Sequence, residues 1–436
     1  MREKTSATAT DPAVPTGPPP SFREALAWWF RLGCLSFGGA AGQIAMMQAE
    51  VVDRRKWVDQ ARFLHALNYC MLLPGPEAQQ LATWIGWRLH GVWGGVAAGT
   101  LFVLPGAIVL WALSWTAAAY GDLPVVAAVF DGVKPVVLAI VLAAVWKIGR
   151  RTLTRPPAVA LAAGAFVGLA LLDLPFPLIV LGAGAIGLAV ARAGLEISTL
   201  KLPPDDGHAM PVPSAGRILR LVAIFAVLWA APVAAVLALV GPGPFEAMVG
   251  LFTTAAFVTF GGAYAVLPYV AEAAVETHRW LTPAEMLDGL ALAESTPGPT
   301  ILVIQHIGFL AAWKDPGTLT PLAAATLGAA LSTYVTFLPS FLFILAGGPY
   351  VEAIARSRLA AGALAGIGAA VVGVILNLAL FLGVPVIWPA GGPDPVAIVV
   401  AAAALWLLLA RGLAVHWAVL AGAAAGLVEA ALRGAF

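Results

Sequence analysis

Two tripeptides in this chain have the composition to hold a buried anion. Pro74-Gly75-Pro76 lies in "LNYCMLLPGPEAQQLATWIGW" and Pro297-Gly298-Pro299 in "LALAESTPGPTILVIQHIGF", each inside an apolar run. Proline removes an amide donor and clashes with the preceding turn, and glycine accepts any backbone angle, so each tripeptide is predicted to break a helix. The residues just beyond, Glu77 to Gln80 and Thr300 to Ile304, then begin half-helices whose free amides and positive dipole ends favour an anion. Gly75, Gln79, Gln80, Gly298 and Thr300 are the expected donors. Arg31, inside "WWFRLGCLSFGG", is the expected charge partner, because an unpaired charge in low dielectric is too costly. Glu77 and Glu294 flank the two breaks. A carboxylate beside an anion suits proton coupling, since burial and the neighbouring anion favour its protonated form. Capping of a positive helix end is the competing role, strongest for Glu77.

A second duplicated phrase accompanies the first. Phe37-Gly38-Gly39 and Phe260-Gly261-Gly262 also interrupt apolar runs. Gly38, Gly39, Gly261 and Gly262 are expected to let backbone approach the broken helices or the ligand, with close helix packing as the bland alternative. Lys134 beside Asp131, His65, His306 and Arg88 are further ionisable residues in or near the apolar segments. A lone intramembrane histidine is more often a packed hydrogen-bonder than a titrating group, and Arg88 reads as a topology charge.

These residues must be positioned by a structure solvated by lipid. Of 436 residues, 61% are hydrophobic and 11% charged, and the mean hydropathy is +0.90; a soluble domain carries about 25% charged residues. A helix crossing about 30 Å of hydrocarbon needs about 20 apolar residues. Thirteen candidates follow: 22–44, 62–90, 92–118, 123–147, 157–172, 175–192, 217–241, 245–268, 285–313, 319–346, 359–384, 395–411 and 413–431. Residues 1–20 read as a disordered tail and 193–216 as a polar cytoplasmic linker. The distribution of Lys and Arg favours a cytoplasmic N-terminus in a plasma or inner membrane, with "DRRKW" as the largest dissent.

The motifs also measure a duplication. Phe22 and Phe245, the two Phe-Gly-Gly triplets, Trp57 and Trp280, and the two Pro-Gly-Pro tripeptides are all 223 residues apart; Leu104-Pro105 and Leu338-Pro339, and Gly132 and Gly366, are 234 apart. The expected organisation is a first repeat over 21–192 and a second over 217–436 with an extra leading span. Seven crossings would separate the two starts, and an odd number turns the second copy upside down. The fold class is therefore an all-α integral membrane protein built as two inverted repeats with broken helices, an architecture that places ligands at mid-membrane. Were the Pro74-Gly75-Pro76 segment to re-enter instead of crossing, the count would be six and the repeats parallel.

The net charge of +1 gives no nucleic-acid signal. The six histidines lack any pair at ligand spacing, Cys34 and Cys70 both lie in apolar segments, and no phosphate-binding loop or nucleophile–base pair is present. No metal, cofactor or catalytic residue is expected, and the chain is not read as an enzyme.

"FGGAAGQIAMM", "LPGPEAQQLATWIGW", "FVTFGGAYAVLPYV" and "LALAESTPGPTILVIQHIGF" resemble the signature stretches of the chromate transporter family in its long, two-domain form. The resemblance covers most of 22–146 and 245–384 and is weak over 157–216 and the last two spans. It implies export of chromate, or of a related tetrahedral oxyanion such as sulfate, driven by the proton gradient, with the bilayer as surroundings. A passive anion channel is the alternative, followed by a membrane enzyme acting on lipid phosphates, for which clustered acidic or basic residues at one interface are missing. A homodimer is compatible with this reading.

Overall fold

The computed structural model describes residues 20–37, 39–195, 197, 215–260, 262–348 and 357–434. The expected tail (1–20) and linker (193–216) lie almost wholly outside these residues, as do Gly38 and Gly261. Among the described residues every regular element is helical: α1 Phe22–Leu35, α2 Gly39–Met47, α3 Gln60–Leu72, α4 Glu77–Tyr120, α5 Pro124–Thr152, α6 Pro156–Ala170, α7 Phe176–Arg192, α8 Ala215–Val240, α9 Gly243–Val258, α10 Ala263–Glu272, α11 Pro283–Ser295, α12 Val303–Lys314, α13 Pro321–Gly347, α14 Arg358–Ile387, α15 Pro395–Ala410 and α16 Val415–Leu432. A π-helical turn extends α2 over Gln48–Arg54 and another extends α10 over Ala273–Thr277. Six helices (α4, α5, α8, α13, α14 and α16) are long and apolar enough to cross a membrane, and several shorter apolar helices accompany them.

The expected breaks at Pro74–Pro76 and Pro297–Pro299 are present: α3 ends at Leu72 before α4 begins at Glu77, and α11 ends at Ser295 before the turn Thr300–Leu302 leads into α12. The Phe-Gly-Gly triplets are breaks as well, which corrects the reading of 22–44 and 245–268 as continuous spans. Gly39 and Gly262 have φ of +72° and +98°, angles that end the helix before them.

More consequential is the direction of the chain after each break, because it turns back. Arg55, just past α2, pairs with Glu24 at the start of α1 at 2.6 Å and stacks on Trp28 and Trp57. Trp280, past α10, lies against Phe252 of α9. In α11 and α12, Glu285 and Lys314 pair at 2.7 Å, although 29 residues separate them. The α3–α4 unit closes similarly. Its first residue follows Arg55 by only five positions, and its far end, His90, bonds the carbonyl of Pro20 at 2.9 Å. Segments 22–54, 60–89, 243–277 and 283–314 are therefore hairpins whose tips carry the four glycine motifs, and none is a simple span.

α4 itself contains a reversal. His90 and Gly91 leave helical angles, and Gly86 and Gly94 pack backbone to backbone across the turn, a contact any larger side chain would prevent. Residues 92–120 then form a long arm that runs beside α1, with Gly33 seated against Leu101 and Pro105. The second half repeats this step, with Gly308 of α12 against Gly328 of α13.

α5 and α14 correspond at the 234-residue offset and lie antiparallel: Gly149 meets Val372 at one end of the contact and Gly383 meets Leu138 at the other. Each also packs against the last two helices of the other half. Gly132 of α5 meets Gly422 and Gly426 of α16, while Gly366 and Gly373 of α14 meet Ala183 of α7 and Ala162 of α6. The halves are thereby interlocked around one large hydrophobic core, with a small separate cluster of Ala158, Ile197, Ala365 and Ala369 beside it.

Candidate functional site at the hairpin tips

The four tips meet in two junctions. The amide of Gly75 donates to the carbonyl of Thr259 at 2.7 Å, and the amide of Gly298 donates to the carbonyl of Ser36 at 3.0 Å. Both members of the first pair shift by 223 residues to give the second, so one hydrogen bond is made twice, with the roles of the halves exchanged. Gly75 and Gly298 have φ of +113° and +100°, conformations that favour glycine. The flanking helices obey the same exchange at the 234-residue offset. Gly106 of α4 packs against the carbonyl of Pro297, and the hydroxyl of Ser340 in α13 packs against Gly75.

This geometry revises the sequence-based donor set. The amides of Gly75 and Gly298 are consumed by the junctions and are not free for a ligand. Gln80 donates to Pro74 O at 2.7 Å, closing its own tip, and Gln79 donates to Thr83 at 3.2 Å. Both glutamines are fully buried, and the Oε1 of each has no partner among the described residues. Arg31 does not join the junctions. It is exposed on the face of α1 opposite the buried Ala25, Trp29, Leu32 and Gly33.

What remains free is backbone. α4 and the Thr300 turn start behind Pro76 and Pro299, which have no side chain to cap them, and α10 starts behind Gly262, equally uncapped. α2 begins at the fourth tip. Three helix starts, those of α4, α10 and the Thr300 turn, thus face the tips without a side-chain cap. The first limbs α1, α3, α9 and α11 end there too, and just past α1 and α9 the carbonyls of Ser36 and Thr259 accept the glycine amides. The cross-bonding quenches part of the negative ends of α1 and α9, beside the uncapped starts of α4 and α10.

The carboxylates occupy different positions within it. Glu294 is buried, accepts from the Tyr264 hydroxyl at 2.6 Å and is bonded by the Thr300 hydroxyl, so it ties α10, α11 and the start of the α12 limb together. Thr300 is accordingly engaged with Glu294. Glu77 lies against Gly262 in the first turn of α4 and has no hydrogen-bond partner among the described residues. Gly39 lines its tip with no heavy atom near the position a Cβ would take.

Sequence reasoning missed Ser36, Gln43, Thr259, Tyr264 and Ser340. Gln43 Nε2 donates both to Ser36 O at 3.0 Å and to Gly298 O at 2.7 Å. The detectable signal was the repeat itself: Ser36 and Thr259 are a matching hydroxyl pair at the 223-residue offset, immediately before each Phe-Gly-Gly.

Interrupted helices from both halves, meeting inside a bundle of long apolar ones, define a multi-pass membrane protein of the transporter class. More particularly, the chain belongs to the chromate transporter family, whose signature matches residues 23–188 and 247–427. It is 32% identical to the chromate transport protein of Pseudomonas aeruginosa over 374 residues, 84% of this chain and 82% of that one. Identity to the chromate transport protein of Cupriavidus metallidurans is 26% over 380 residues, 85% and 84% of the two chains. A probable chromate transport protein of Synechococcus elongatus is 27% identical over 386 residues, 86% and 88% of the two chains. No solved structure matches.

Proposed function

We propose that this protein is a secondary active transporter that exports chromate, or a similar tetrahedral oxyanion such as sulfate, from the cytoplasm, coupled to the proton gradient. The observation that carries the reading is the reciprocal pair of junctions with uncapped helix N-termini around them. A tetrahedral dianion offers oxygens in several directions and suits donors converging from several helices. Fixed dipoles also lessen the need for a buried cation, which fits the absence of Arg31 from the junctions.

The organisation we favour is two inverted repeats, 21–192 and 217–436. Because the first two units of each half fold back as hairpins, the crossings between the two starts are α5, α8, the 92–120 arm of α4 and the pair α6–α7. The pair leaves parity unchanged, and three is odd. Re-entry of the Pro-Gly-Pro segment alone would have made the repeats parallel; re-entry of the Phe-Gly-Gly segment as well restores the inversion. Hairpins then reach the junctions from opposite faces of the membrane, and alternating access follows if the two junctions open in turn. The expected setting is the plasma or inner membrane with the N-terminus in the cytoplasm.

Proton coupling is assigned to Glu294 and Glu77, the two carboxylates beside the tips. The test is anion uptake into everted membrane vesicles, with chromate and sulfate in competition and an uncoupler present or absent. Uptake that collapses with the gradient is expected. Uptake indifferent to the uncoupler points to a passive channel, and failure of sulfate to compete removes it from the substrate class.

A further inference from the structure

Some 8–9 Å along α11 from Glu294, taking about 1.5 Å per residue, a second ionisable cluster joins the halves. Lys134 of α5 lies between two carboxylates. Its Nζ is 2.7 Å from Asp131 on its own helix and 3.9 Å from Oδ1 of Asp288 on α11. The partners are unlike: the Asp131 side chain is 70% exposed and that of Asp288 18%. The nearer contact is a hydrogen bond, whereas the inaccessible Oδ1 of Asp288 receives none. A buried carboxylate oxygen without a donor is unfavourable. It is relieved if the oxygen takes a proton or if Lys134 moves inward.

We propose that Asp288 is a further protonation site of the transporter, with Lys134 as its alternative partner, so that a proton from water opens the ion pair linking the two halves. The proton arrives from the face where α5 and α11 begin and binds the Asp288 carboxylate. Lys134 keeps its own proton and rests on Asp131. When the Asp288 proton leaves, the ammonium closes the 3.9 Å gap by about 1 Å, to hydrogen-bond distance, and draws α11 toward α5. Since α11 ends at the Gly298 tip, the pair acts on one junction only. With the roles of the halves exchanged the cluster has no equivalent: Lys134 and Asp131 correspond to Gly368 and Ala365, and Asp288 to His65.

The other charges near Asp288 are accounted for. On α11, Glu285 is held by Lys314 at 2.7 Å. On α12, His306 bonds Ser114 at 2.9 Å, and its ring packs on Gly289. On α16, Glu429 pairs with Arg433 and His416 lies against Phe37. The 92–120 arm of α4 carries no Asp, Glu, Lys, Arg or His, and α14 carries only Arg358 at its first position.

The inference rests on the proton-coupled reading, and the experiment separates their failures. Chromate flux through the full-length protein in proteoliposomes is measured while pH is varied on one face at a time. Wild type responds to pH at the face where α5 and α11 begin. Asp288→Asn abolishes that one-sided response and fixes the flux at its low-pH value. Lys134→Gln moves the midpoint up by about one pH unit, because the charge favouring the Asp288 carboxylate is gone. Asp131→Asn moves it down, because Lys134 loses its outer partner; its exposed position keeps this variant informative even where Asp288→Asn folds poorly. An unchanged response in Asp288→Asn, or shifts of the same sign in Lys134→Gln and Asp131→Asn, overturns the proposal. If Glu294→Gln uncouples transport while those three variants match wild type, only this inference falls. A wild-type flux blind to pH on both faces removes the coupling reading and this inference together.

Discussion

At the Ser36–Gly298 junction the Gly298 amide finds two acceptors on Ser36, the carbonyl and the hydroxyl, each at 3.0 Å, and Gln43 clamps both strands. At the Thr259–Gly75 junction one bond joins the tips, and Val266 stands where Gln43 would be at the 223-residue offset. There Gln80 braces Pro74 within a single tip and does not bridge two. Duplication has kept the backbone plan and let the side chains diverge. The plan is retained because the glycine conformations and crossed amides hold four helix ends in place. The divergence makes one junction stiffer, so the Thr259–Gly75 junction is expected to part first when the protein changes state.

The largest effect should come from the glycines on which both junctions depend. Gly75→Ala and Gly298→Ala each place a side chain at strongly positive φ, a strain of about 1–3 kcal/mol. At Gly75 the new Cβ also lies 2.8 Å from the Ser340 hydroxyl. Both variants should lose most transport and unfold earlier in detergent, whereas Gly164→Ala, with open space around it, should do neither. Wild-type behaviour of either junction variant would show that its tip is not held as described.

Next in size is the contrast between the clamps. Gln43→Leu strips a donor from the buried Gly298 carbonyl and should cost about 1–3 kcal/mol, while Gln80→Leu loses one local bond worth about 0.5–1.5 kcal/mol. Thermal unfolding of the two variants measures the difference directly. Equal losses would mean that the asymmetry in bonding has no energetic counterpart.

The carboxylates sharpen the comparison functionally. Glu294→Gln keeps an acceptor for Tyr264 and removes the charge, so anion binding should persist while flux no longer follows the proton gradient. Glu77→Gln should have the smaller effect on coupling, because an acidic residue in a first helical turn already has a structural role. Flux assays with and without uncoupler rank the two, and a fully coupled Glu294→Gln protein would move proton handling elsewhere. The smallest change is expected for Arg31→Gln. An exposed residue away from the junctions should alter stability by no more than about 0.5 kcal/mol, and transport should match that of Arg433→Gln. A selective loss in Arg31→Gln would bring this arginine back into the anion path.

Much of this plan was legible from local chemistry. Composition established the membrane environment, because 11% charged residues cannot solvate a chain of this length. Pro74-Gly75-Pro76 and Pro297-Gly298-Pro299 announced their breaks, since proline and glycine act on the backbone whatever surrounds them. The 223-residue offset paired the motifs, and the acids beside the tips were identified by adjacency alone.

Direction was the property that the sequence left open. An apolar segment with a break in it satisfies the same hydropathy whether its second limb continues or turns back. Only contacts such as Arg55 with Glu24 and Lys314 with Glu285 decided for hairpins. The fate of the donors was likewise a tertiary matter. The Gly75 amide is free or consumed according to whether Thr259, 184 positions away in the chain, lies within hydrogen-bond reach. Arg31 shares its helix with residues that pack inward, and 100° of rotation per residue carries it to the exposed face. Backbone chemistry is written locally and can be read locally; the partner of each freed amide is a long-range choice made when the two halves interlock.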